Sequence, residues 1–150
     1  MDVESALAFV AHRGNKVEQA RLGYLLAQEA PSQAVISQLL AGQRDDGGRA
    51  PFRAQDYSSL DATYFRLAQV EQLGFNHSHA AITRAVKFLA ARQQSDGSWE
   101  EDTAAVDGAP RWVKPDDVAA RLYLTANCGS WLAMSGEHDG ATKAAAGLLR

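Results

Sequence analysis

The sequence predicts an all-α protein assembled from stacked helical hairpins, and three observations carry that prediction. Apolar residues recur at helical spacing along nearly the whole chain. No four-residue run alternates apolar and polar side chains with the β-branched enrichment of a strand. One helix-and-turn unit returns fifty residues after its first appearance, the signature of a repeat whose copies bury each other's apolar faces.

Local signals place each element. A first helix runs from about Asp2 to His12, with Asp2 as cap and Gly14 as stop. Asn15 followed by Glu18 makes a capping-box-like start for a second helix that ends near Gln28. Pro31 suits the first turn of a third, which carries Ile36, Leu39 and Leu40 on one face and ends in RDDGGRAPF. Ser58 or Ser59 then caps a helix with Leu60, Tyr64 and Leu67 on its inner side, stopped at Gly74. Ser78 caps the next, whose apolar face is Ile82, Val86 and Leu89. After a small-residue, acidic loop from 100 to 113, Pro115 opens a long helix to about Ser135, and a last segment starts at 139.

Composition narrows the function classes. At 150 residues the chain has the size of one domain, 1–150, with room for a single core. A formal charge of −3 and scattered basic residues leave no footprint for a phosphate backbone, so nucleic acid is not an expected partner. The single cysteine, Cys128, and a start without a basic region before an apolar stretch point to a reduced, cytoplasmic location. The longest uncharged stretch, LYLTANCGSWLAMSG from 122 to 136, is too short and too polar for a membrane span and is expected as a buried helix.

The repeat itself reads AVISQLLAGQRDDGG (34–48) against RAVKFLAARQQSDGS (84–98), setting Leu39 on Leu89, Gln43 on Gln93 and Gly47 on Gly97. The intervening helices correspond when Asp61 is set on Asp117, and ATKAAAGLLR begins a third approach. The unit is an outer helix, a QxxDG turn and an inner helix. In the second copy the turn reads QQSDGSWEED (93–102). A glutamine there can bond the open end of a helix, an adjacent indole can cover the bond, and Gly97 permits a positive φ. Gln93 and Trp99 are therefore expected as a clamp between hairpins, with Glu100, Glu101 and Asp102 as a solvated acidic face.

Gln93, Gly97 and Trp99 in this setting resemble the QxxxGxW repeat of the squalene cyclase and protein prenyltransferase superfamily. The first copy departs from that pattern, with Arg49 at the tryptophan position and Phe52 as a possible substitute. The resemblance covers about residues 30 to 150. It implies an α/α toroid, of which this chain would form about half, truncated at its C-terminal end. Exposed hairpin edges would then favour self-association or pairing with missing C-terminal hairpins.

The resemblance to class II terpene cyclases implies an acid at the start of an inner helix, where their DxDDTA element stands. The corresponding stretch is KPDDVAA, with Asp116 as proton donor and Asp117 supporting it. Lys114 replaces the first aspartate, and both a lysine and a helix N-terminus favour the carboxylate over the acid. Capping by the two aspartates is the competing expectation. The zinc-binding Asp-x-Cys pair of prenyltransferases is absent from TANCGSW, and no histidine has a partner at ligand spacing, so neither metal nor other cofactor is expected.

Tyr64, Phe65, Tyr123 and Trp131 on the inner helices are core residues by spacing and candidate cavity walls by chemistry, since aromatic faces stabilise cations. Two functions follow as expectations. The first is a cavity that binds, and in the enzymatic case cyclises, an isoprenoid or other apolar molecule. The second is a non-catalytic binding or assembly module that retains the fold without the acid.

Overall fold

Short polar side chains meet the free N–H groups at most helix starts in the computed structural model, which describes residues 2–51, 56–105, 107 and 109–148. Helix α1 (Val3–Arg13) is capped by Asp2, whose carboxylate accepts the Ser5 N–H at 2.7 Å. Helix α2 (Lys16–Ala27) has the complete capping box of Asn15 and Glu18, and it ends at Gln28 in the left-handed region. Helix α3 (Gln33–Leu40) is capped by Ser32. Pro31 therefore stands ahead of the helix, where its fixed φ suits the extended approach.

Ser59 starts α4 (Leu60–Glu71), its hydroxyl accepting the Ala62 N–H at 3.2 Å. Helix α5 (Ala80–Ala91) is capped by the His79 ring, one residue later than the expected Ser78. Helix α6 (Val118–Met134) begins at the Asp117 cap, beyond Pro115, and α7 (His138–Leu148) follows. Two 3-10 turns, 103–105 and 111–113, shape the long loop before α6. Among the described residues there is no strand, only isolated bridges at Gln43, Arg49 and Ser59, so the all-α expectation holds. Phe52 lies outside the described residues.

Contacts divide the chain into two compact units, Met1–Ala41 with Arg66–Asn76 and Gly42–Phe65 with His77–Arg150. The first packs α1 on α2 and α2 on α3. Its core holds Val17, Val35, Leu39, Leu67, Val70 and Leu73. Gly74, at φ 79°, lies directly against the Tyr24 ring, and Arg21 hydrogen-bonds Gln72.

The second unit centres on α6, which packs on α5, on α7 and on the 111–113 turn. Ile82, Leu89, Trp99, Val113, Leu124 and Leu132 are fully buried there. Each large apolar side chain buried in this way contributes about 1.5–3 kcal/mol. No helix among the described residues is long and apolar enough to cross a membrane.

Helix α6 places residues of two kinds on opposite sides. Its packed side is Ala120, Leu124, Thr125, Cys128, Trp131 and Leu132. Its solvent side carries Val118, Leu122, Tyr123, Ala126 and Met134, also mostly apolar. A surface helix ordinarily sets charge opposite its core stripe, whereas here the exposed stripe is largely apolar.

Candidate functional site

The two turns of the repeat form the same clamp. Gln43 Nε2 donates to the Gly47 carbonyl at 3.0 Å and to the Ala81 carbonyl in the first turn of α5 at 2.9 Å. Gln93 Nε2 donates to the Gly97 carbonyl and to the Gly140 carbonyl in the first turn of α7, both at 2.9 Å. Each glutamine thus closes its own turn and ties it to the start of a later helix, α5 or α7. Gly47 and Gly97 have φ of 89° and 90° and lie against the Arg84 and Lys143 carbonyls, where a Cβ would collide. Asp46 and Asp96 each accept the N–H two residues on, completing the turn.

Behind the second turn, Trp99 is fully buried and its indole N–H donates to the Leu89 carbonyl at 2.7 Å. Its main-chain N–H reaches Thr125 Oγ1. Arg49, at the corresponding place in the first turn, is also buried, and its N–H reaches Thr63 Oγ1. Thr63 therefore corresponds to Thr125, which sets Asp61 on Tyr123. The pairing of Asp61 with Asp117 expected from sequence is displaced, because α6 begins about one turn earlier in the repeat than α4 does.

Of the acidic residues after Trp99, only Glu101 departs from the expected solvated face; Glu100 is half-buried and Asp102 exposed. Glu100 accepts the Asp116 N–H at 2.7 Å, and Asp102 accepts the Ala104 N–H at 2.9 Å. Glu101 is buried at the start of α4, accepting from the Ser59 hydroxyl and from the N–H groups of Leu60 and Asp61. Burial pushes its carboxyl above the usual glutamate range, against the opposing pull of these hydrogen bonds. Cys128, buried in the same region, is pushed well up, first by burial and then by the charges of Glu101 and Asp61.

The candidate aromatics separate into two groups. Trp131 is buried, its ring tilted against His77 with centroids 6.0 Å apart. Tyr64 is buried, meets Tyr123 edge-on at 5.9 Å, and donates from its hydroxyl to Asp61 Oδ1 at 2.8 Å. Burial raises the Tyr64 hydroxyl far above its ordinary value, so it stays protonated. Phe65 and Tyr123 are exposed, at 46% and 38%. Sequence reasoning missed Leu122, exposed beside Tyr123, and the Asp61–Tyr64–Tyr123 chain; helical spacing of 61 and 64 was its one visible signal.

Asp116 and Asp117 lie at the α6 start as the pattern implied, in different roles. Asp117 is the cap, accepting the Ala120 N–H at 3.0 Å. Asp116 is exposed, with φ of 63°. Among the described residues no group of three or more His, Cys, Asp or Glu is placed to hold a metal.

The class defined by the fold and the duplicated turn is an all-α protein in which glutamine clamps tie two turns to the starts of α5 and α7. Comparison of the chain with family models, curated proteins and solved structures finds no match.

Proposed function

We propose that this is a non-catalytic member of the toroid class suggested by its QxxDG turns, binding an isoprenoid-like or other apolar molecule on its inner helices. The observation that carries the reading is the outer stripe of α6, where Val118, Leu122, Tyr123 and Met134 are all exposed on a helix whose other side already forms the core. Covering that stripe with an apolar ligand gains about 25 cal/mol per Å² removed from water. A cytoplasmic setting belongs to the same reading, on the single buried thiol of Cys128.

The acids favour binding over cyclisation. A proton donor to an alkene needs a desolvated carboxyl, whereas Asp117 is engaged as a cap and Asp116 is open to solvent. The cyclase alternative retains one support, the position of Asp116 just ahead of an inner helix.

Incubation of the chain with squalene and prenyl diphosphates, followed by mass spectrometry, separates the two. The binding reading expects saturable uptake of an apolar probe, at least tenfold weaker in Leu122→Asp, and no cyclised product. A cyclised product that disappears in Asp116→Asn would transfer the protein to the cyclases.

A further inference from the structure

In the second unit, a partly buried hydrogen-bond chain ends at an oxygen with no proton left to give. The Tyr64 hydroxyl donates to Asp61 Oδ1, and a hydroxyl carries one hydrogen. The bond between the Tyr64 and Tyr123 hydroxyls is therefore donated by Tyr123. That leaves Tyr123 Oη with lone pairs only. Tyr123 is exposed and follows exposed Leu122, so this acceptor belongs to an apolar patch.

The charge at the inner end of this chain is negative. The Asp61 carboxylate ends the chain, and the Glu101 carboxyl holds the start of the same helix. The single basic residue of α6, Arg121, is occupied by Asp96 and by Ser98 Oγ. Leu60–Phe65, the part of α4 in this unit, contains no basic residue.

We infer that Tyr123 Oη receives the polar end of the ligand, and that this end is a hydrogen-bond donor, a hydroxyl or a protonated amine, instead of a diphosphate. The inference rests on the apolar-ligand reading of the inner helices. A donor head fills the open lone pair, and an ammonium also gains from the negative face of the Tyr123 ring. A diphosphate would set like charge beside Asp61, and Arg121, the basic residue of α6, is already engaged by Asp96 and Ser98.

One isoprenoid chain with four ends tests this on the full protein: farnesene, farnesol, farnesylamine and farnesyl diphosphate, titrated calorimetrically into wild type and Tyr123→Phe. The variant keeps the ring and leaves Tyr64 bonded to Asp61, and thermal melting verifies its fold. The alcohol and the amine are expected to bind at least tenfold more tightly than the diphosphate. Tyr123→Phe should weaken those two about fivefold and leave farnesene unchanged.

Diphosphate binding equal to or tighter than the alcohol would overturn the inference, as would a variant that weakens all four ligands alike or none. Farnesene binding without any preference among heads sinks this inference and leaves the apolar face standing. Failure of farnesene itself to bind sinks both.

Discussion

Glu101 offers both carboxylate oxygens to the main-chain N–H of Leu60, each at 3.1 Å, in a region closed to solvent. The acid thus caps a helix 41 residues earlier in the chain. Because burial raises its folded-state pKa above the ordinary 4.5, the unfolded chain releases this proton first as pH rises. The contribution is complete below about pH 4.5 and is lost as pH climbs through the higher folded value. Urea unfolding across that window should show wild type losing stability relative to Glu101→Gln with rising pH. Parallel curves for the two proteins would refute the assignment.

Gln43 and Gln93 donate equivalent pairs of bonds, and Gln43 Oε1 also accepts from exposed Arg84, so their removal should have costs of similar size. Gln43→Ala and Gln93→Ala are each expected to lose about 1–3 kcal/mol, since the freed carbonyls are partly buried. Chemical denaturation of the two variants checks this. A cost confined to one of them would show that the two clamps differ in kind.

Gly97 combines φ of 90° with a main-chain neighbour, the Lys143 carbonyl, that occupies the Cβ position. Gly97→Ala should cost roughly 2 kcal/mol or more, because the backbone strain and the clash must both be absorbed. An alanine variant that melts with wild type would contradict the geometry.

Asp116 and Asp117 should respond differently to neutral substitution. Asp117→Ala removes the α6 cap and should cost about 1 kcal/mol. Asp116→Asn should stay within about 0.5 kcal/mol of wild type, since asparagine also tolerates the left-handed region. Thermal unfolding of the pair measures the contrast, and it also establishes Asp116→Asn as a clean probe for acid catalysis.

Much of the local structure was legible in the sequence because its causes act over a few residues. Asp2, Asn15 with Glu18, Gly74 and Gly136 stand where their side chains or their φ freedom serve the adjoining helix end. The turn was legible for the same reason, as Gln43 and Gln93 each bond a glycine four residues on. His79 was missed as a cap because a ring nitrogen is an uncommon substitute for the serine before it.

The long-range roles were not legible. Glu100, Glu101 and Asp102 are chemically alike and adjacent, yet only Glu101 is buried, a difference made by the start of α4 arriving beside it. Trp131 and Tyr123 share one helix, and packing alone decides that the first enters the core while the second stays in solvent. By itself the sequence determined helices, caps and the repeated turn, whose hydrogen bonds close within about one helical turn. Only the tertiary structure decided which acid is desolvated, how α4 and α6 correspond and which apolar face stays open, since those depend on contacts between residues far apart in the chain.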